Sequence, residues 1–94
     1  MVKFRIFETQ QFIEDLGSDF GGQGERIEKK LAAYVYPQLR RNPSFGKNIK
    51  KLKNYSPDTW RYRIGSFRFF YEIDAKAHLI IMLAADSRKD SYKR

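Results

Sequence analysis

Two alternating runs meet at a glycine, and that junction limits the fold more than any other stretch of the chain. Over 59–64, Trp60, Tyr62 and Ile64 alternate with Thr59, Arg61 and Arg63. Period-two alternation is the mark of a strand with one buried face. Gly65-Ser66 follows, and Gly-X is the two-residue loop of a type II′ hairpin. A second run, Phe67 to Asp74, comes directly after it. A two-residue loop leaves one register. Ile64 then faces Phe67, Arg63 faces Arg68, Tyr62 faces Phe69, Arg61 faces Phe70, and Thr59 faces Glu72. One face of this hairpin is aromatic and aliphatic. The other carries Arg61, Arg63, Arg68, Phe70 and Glu72.

The remaining elements assemble around the hairpin. Val2, Phe4 and Ile6 alternate with Lys3, Arg5 and Phe7, a strand pattern. Thr9 is placed to cap a short amphipathic helix through Phe12, Ile13 and Leu16. Gly17 and Gly21-Gly22-Gln23-Gly24 interrupt it. A second helix starts near Glu25 with Ile27, Leu31, Tyr34 and Val35 on one face. Pro37 is expected to kink or end it, because proline lacks the N–H and crowds the preceding turn. Leu39 extends the face to a stop at Asn42-Pro43. A basic loop over 44–58 allows a short strand at Ile49–Leu52. After the hairpin, Ala75-Lys76-Ala77 turns the chain into a last strand, His78 to Ala85. The expectation is a single α+β domain over 1–94, in the order β-α-α-β-β-β. Its sheet is a mostly antiparallel meander with two N-terminal helices on one face.

Charge narrows the chemistry. The 94 residues carry a formal +8, and it is unevenly spread. Residues 1–39 hold five basic and six acidic groups, and residues 40–94 hold fourteen basic and five acidic groups. A basic C-terminal half expects an anionic partner. There is no cysteine and one histidine, His78. That excludes a disulfide framework, a thiolate nucleophile and a cysteine-built zinc site, and it argues against a serine–histidine triad. No metal or cofactor is implied. No apolar run approaches a membrane span. The opening Met1-Val2-Lys3-Phe4-Arg5 has no apolar signal-type segment behind it, so the expectation is a cytoplasmic protein.

Arg63 opposite Arg68 is the most informative pairing. Like charges facing each other weaken a sheet. An anionic ligand on that face would account for them, because the guanidinium fork suits phosphate and never deprotonates. The competing reading is that the long side chains splay into water on an open face. Lys51 and Lys53 add basic groups before the hairpin, and Arg88, Lys89 and Tyr92 follow the last strand. Cations beside the Phe70 ring are a combination that RNA recognition uses. The Gly21-Gly22-Gln23 tripeptide and the Asn54-Tyr55-Ser56 sequon carry little weight alone.

The run Trp60-Arg61-Tyr62-Arg63-Ile64-Gly65-Ser66-Phe67-Arg68-Phe69-Phe70-Tyr71-Glu72-Ile73 resembles the central hairpin of the RelE/ParE toxin superfamily. Ser87-Arg88-Lys89-Asp90-Ser91-Tyr92 is similar to that family's closing arginine-then-tyrosine motif. Leu39-Arg40-Arg41-Asn42-Pro43 is similar to the end of its second helix, and Lys51-Leu52 to the approach to its second strand. The resemblance implies the toxin of a type II toxin–antitoxin pair. RelE-like members cleave mRNA in the ribosomal A site by attack of a 2′-hydroxyl on the adjacent phosphate. Carried over by position, Arg61, Arg63, Arg68, Arg88 and Tyr92 are the catalytic set. Arg68 would stabilise the transition state, Arg88 would donate a proton or hold phosphate, and Tyr92 would orient a base. Lys51, Lys53, Phe70 and Lys89 would bind RNA. Family members with lysines at the Arg61 and Arg63 positions have groups that can lose a proton; arginine does not. Glu72, on the arginine face, is a candidate base; the other reading is that it pairs with Arg61 or Arg68. The implied partners are an acidic antitoxin that folds on binding, mRNA and the ribosome. The alternatives are a ParE-like gyrase binder without nuclease chemistry and a non-catalytic RNA-binding relative.

Overall fold

The hairpin forms in the register that its loop length demands. The computed structural model describes residues 3–17 and 24–87. In it, β3 (Trp60–Ile64) and β4 (Phe67–Asp74) pair as Ile64–Phe67, Arg63–Arg68, Tyr62–Phe69, Arg61–Phe70 and Trp60–Tyr71. Positive φ falls on Gly65, at 59°, and not on Ser66, as a II′ loop requires. The short strand near Ile49 is present as β2 (Ile49–Lys51), antiparallel to β3. The last strand, β5 (Leu79–Ser87), is antiparallel to β4. His78 belongs to the turn rather than to the strand, with φ of 51°.

The first strand, β1 (Arg5–Glu8), pairs with β5 in parallel. The sheet is therefore five-stranded and mixed, in the order β1-β5-β4-β3-β2. The meander covers four strands, and β1 joins it from the far end of the chain. The helices explain how. A helical rod from Gly24 to Arg41 brings the chain back alongside β1, where the Arg40 carbonyl accepts the Phe4 N–H at 3.1 Å. Residues 42–48 then lead to β2 at the opposite edge.

That rod is not a plain α-helix. After α1 (Gln10–Gly17), α2 (Gly24–Lys30) runs directly into a π-helical turn, Leu31–Val35, and on into α3 (Tyr36–Arg41). In the turn, Tyr36 N–H donates to the Leu31 carbonyl, five residues back. The sequence supplies two reasons. Pro37 has no N–H to give back to Ala33, and a wider turn absorbs that deficit. The core residues Ile27, Leu31, Val35 and Leu39 also repeat every four residues, and all are buried. Four residues overrun an α-helical turn by about 40°, so such a stripe drifts off the core within a few turns. One π turn sets it back. The same rotation turns Tyr34 out to 63% exposure, where straight α-helical periodicity would bury it. The rod therefore continues through Pro37. It stops at Asn42, whose extended backbone suits a residue before proline.

Thr9 caps α1 by accepting the Phe12 N–H at 3.2 Å. Its hydroxyl also donates to the Met82 carbonyl at 2.8 Å. At that level β5 carries an extra residue. Met82 pairs with Tyr71 and Ala84 with Phe70, leaving Leu83 between them as a β-bulge. Asp15 of α1 accepts the Ala85 N–H at 2.9 Å. The core lies wholly on this side of the sheet. Phe12 and Leu16 of α1 and the four-residue stripe of the rod pack on Tyr62, Phe69, Tyr71, Ile80, Met82 and Ala85. Two phenols tie the C-terminal half of the rod, and the loop just after it, to the sheet. Tyr71 donates to the Pro43 carbonyl at 2.6 Å, and burial pushes its pKa up. Tyr36 donates to the Glu8 carboxylate of β1, and burial together with that carboxylate pushes its pKa up.

The π turn makes a measurable distinction within one helix. Leu31→Ala is expected to cost about 2–5 kcal/mol in equilibrium urea unfolding. Tyr34→Ala is expected to stay within about 0.5 kcal/mol. A comparable loss in both variants would restore the straight-helix reading.

Candidate functional site

Strand alternation sends every second side chain away from the core, and no described helix covers that second face. Residues directly opposite each other share a face, so the pairings map it. One row runs Arg63, Arg68, Asp86 across β3, β4 and β5. The next runs Lys50, Arg61, Phe70, Ala84 from β2 to β5. Beyond it, Glu72 pairs with Ile81, which pairs with Phe7 of β1. The face is thus cationic at β2 and β3, and its far margin carries Arg5 and Phe7 of β1, with Asp74 of β4 opposite Leu79.

Arg68 Nη2 lies 3.2 Å from Asp86 Oδ2, both side chains being about a quarter to a third exposed. The carboxylate holds the Arg68 fork in the plane of the face. Arg61 is half-buried, and its Nε is buried with no hydrogen-bond acceptor among the described residues. A buried donor without an acceptor is costly, and an anion that reaches it removes the cost. Beside it is a cleft of about 370 Å³ lined by Lys47, Asn48, Ile49, Lys50, Arg61 and Arg63. Four cations and no acid line it. The strand connection helps shape it, since Arg63 N–H donates to the Asn48 carbonyl at 3.0 Å. Such a cleft can hold a phosphodiester and spread the charge of a pentacoordinate phosphorus. Glu72 is half-buried on the same face, two residues along β4 from Phe70. Among the described residues no group of three His, Cys, Asp or Glu side chains could hold a metal ion. No described helix is long and apolar enough to cross a membrane.

Arg61, Arg63, Arg68, Phe70 and Glu72 thus share one face, as the hairpin register implies. Lys51 does not join them. It pairs with Trp60 on the helix side, 3.2 Å from Asp58 and 6.0 Å from the Trp60 ring centre. Lys53 sits exposed in the turn after β2, outside the cleft lining. Arg88, Lys89 and Tyr92 lie outside the described residues. The structure adds Lys47, Asn48, Lys50 and Asp86. Lys50 was readable in principle, because alternation makes either Lys50 or Lys51 the one that faces Arg61. A three-residue strand after an irregular loop does not say which. Asp86 was missed because the last strand was expected to end at Ala85; β5 runs on to Ser87, and the bulge turns Asp86 outward.

No family model and no curated protein matches the sequence. Solved structures do. The chain is similar to the toxin–antitoxin complex RelBE2 of Mycobacterium tuberculosis, with 25% identity over 94% of each chain and a TM-score of 0.75. It is similar to the RelB–RelE antitoxin–toxin complex of Methanococcus jannaschii, with 24% identity over 93% of this chain and 95% of that one, and a TM-score of 0.63. It is also similar to the isolated E. coli RelE toxin, with 14% identity over 97% of both chains and a TM-score of 0.63. The fold is that of the RelE toxins, and the resemblance read from the hairpin to the RelE/ParE superfamily is borne out.

The Arg63–Arg68 pairing has a thermodynamic signature. Arg63→Thr is expected to stabilise the fold by a few tenths of a kcal/mol in low salt, through relief of cross-strand repulsion. The gain is expected to shrink as salt screens the pair. Thermal unfolding of both proteins at two salt concentrations checks it; a destabilised variant would mean the two guanidinium groups do not repel each other.

Proposed function

We propose that the chain is the toxin of a toxin–antitoxin pair and that it cleaves RNA. The observation that carries the reading is the cationic face. Arg61 has a buried Nε awaiting an acceptor, Arg63 opposes Arg68 at a cost to the sheet, and a cleft of four cations lies beside them. Folding gains nothing from these features, and phosphate binding gains from all three.

In the proposed reaction the 2′-hydroxyl of the bound strand loses its proton to a base. Its oxygen forms a bond to the adjacent phosphorus, the bond from phosphorus to the 5′-oxygen breaks, and a proton is delivered to that oxygen. The products are a cyclic phosphate and a 5′-hydroxyl, and no water or metal is consumed. Arg61 and Arg63 hold the non-bridging oxygens in the ground state. Arg68, oriented by Asp86, meets the charge that builds on the phosphorane. Phe70 offers a ring for an unstacked base. Glu72 is taken as the base; Asp86 is engaged by Arg68, and Asp74, on the same face, accepts the Ala77 N–H at 3.0 Å in the turn after β4. From the resemblance, Arg88 serves as proton donor and Tyr92 as a base platform. The solved RelBE complexes support a cognate antitoxin as the partner that holds the toxin inactive. An acidic segment laid over the cationic face would neutralise it. The ribosome as the place of cleavage is carried by the resemblance alone.

Controlled expression with mapping of mRNA 5′ ends tests the reading. New cuts that require ribosomes are expected. Arg68→Ala and Arg88→Ala are expected to slow cleavage about 10²–10³-fold while the folded state is retained. Glu72→Gln is expected to slow it about 10²–10⁴-fold if Glu72 is the base. Growth arrest without RNA cuts, accompanied by DNA-damage signalling, would place the chain with gyrase binders instead. Binding of RNA without cleavage would make it a non-catalytic relative.

A further inference from the structure

The helical rod sorts its charges. Arg26, Lys30, Tyr34, Pro37, Gln38 and Arg41 follow one another along one side. The first two line a cleft of about 230 Å³ against Ile64, Gly65, Ser66 and Phe67. The last four line a cleft of about 560 Å³ against Asn48, Tyr62 and Ile64. Glu28 and Tyr36 line a different cleft, on the α1 side with Glu8. The two rod clefts share Ile64. The larger one shares Asn48 with the cationic cleft beside Arg61. Three depressions are thus neighbours, one beside the arginine face, one at the β2 edge and one along the rod, with Asn48 and Ile64 on their shared borders. Among the described residues, no acidic side chain lines any of the three.

Two independent details give this path a chemistry. The first is Tyr34. The π turn rotates its ring out of the core and onto the path at 63% exposure, and π turns inside helices gather at functional sites. An exposed ring flanked by cations is a stacking platform for a base. The second is the floor. Tyr62 hydroxyl donates to Gln38 Oε1 at 2.7 Å, which fixes that amide's orientation with its nitrogen packed against Gly46. The Asn48 amide lies alongside, 3.5 Å from the same hydroxyl. Amides held by a buried phenol can meet the edge of an unpaired base.

We propose that single-stranded RNA continues beyond the arginine face along this path, its phosphates following Arg41, Lys30 and Arg26 and one base lying on Tyr34. The inference rests on the proposed reading of the chain as an RNA-cleaving protein and extends it. It makes that enzyme a binder of a strand of several nucleotides, not of the scissile dinucleotide alone.

The test is direct binding of non-cleavable 2′-O-methyl RNA, read by fluorescence anisotropy, so that it does not depend on catalysis. A trinucleotide is compared with an oligonucleotide of about 12 residues, within the range single-strand sites cover. The proteins are the wild type, the triple variant Arg26→Gln/Lys30→Gln/Arg41→Gln, and Tyr34→Ala. All the altered side chains are exposed, and circular dichroism checks the fold. The triple variant is expected to lose about ten-fold affinity for the longer RNA at about 0.1 M salt. Its salt slope is expected to flatten by about 2, as removal of three phosphate contacts predicts. Tyr34→Ala is expected to lose about five-fold or more on the longer RNA. Both variants are expected to hold the trinucleotide as the wild type does. Unchanged binding of the longer RNA in both variants would overturn the path and leave the arginine-face reading standing. Equal loss on the trinucleotide, or equal affinity for duplex RNA, would also overturn it. Failure of the wild type to bind either RNA would remove the reading on which it rests.

Discussion

The chemistry of this face depends on one extra residue in β5. Up to Met82 the even-numbered side chains of that strand enter the core; after Leu83 the odd-numbered ones do, and Ala85 fills the place. Thr9 grips the strand at the irregularity through the carbonyls of Met82 and Leu83, and Asp15 takes the N–H of Ala85 just beyond. The first helix therefore holds the bulge in place as well as packing beside it. The shift puts Asp86 on the outer face, where it meets Arg68. Without the bulge Asp86 would point into the apolar layer, where an unpaired carboxylate is costly. The orientation of the arginine assigned to transition-state stabilisation is thus set on the opposite side of the sheet.

A second device acts in the same way at the other end. The proline of the rod and the four-residue spacing of its core side chains both call for a widened turn. The turn keeps Ile27, Leu31, Val35 and Leu39 on the core and releases Tyr34 to solvent. In both places a local departure from regular geometry satisfies the core first, and its by-product is a side chain presented outward. Departures of this kind are commonly found where proteins carry function.

Those departures also mark where the sequence was legible and where it was not. The hairpin was read to the residue, because a two-residue glycine loop admits one register and one buried face. Arg61, Arg63, Arg68, Phe70 and Glu72 followed from it. Thr9 as a cap and Asn42-Pro43 as a stop rest on equally local chemistry. What escaped was non-local. Pairing of β1 with β5 in parallel depends on where the helices deliver the chain. The choice of Lys50 over Lys51 depends on how a three-residue strand docks. Tyr34 was assigned to the core because periodicity assumes a constant turn. Asp86 was passed over because the last strand was ended at Ala85 and its polar continuation read as a tail leaving the sheet, whereas β5 runs to Ser87.

The parallel pairing of β1 with β5 joins the beginning of the described chain to its last described strand. Arg5 sits beside Leu79 and Glu8 beside Met82, contacts that close a loop of more than seventy residues. Closing so long a loop is slow relative to forming the local hairpin. On a ribosome that emits the chain from its N-terminus, the hairpin and its arginines emerge before the strand that carries Asp86 and receives β1. Neither the Arg68–Asp86 pair nor the completed sheet exists until that strand has left the exit tunnel. The face that orients Arg68 is in this way assembled only after the chain has been made as far as Asp86.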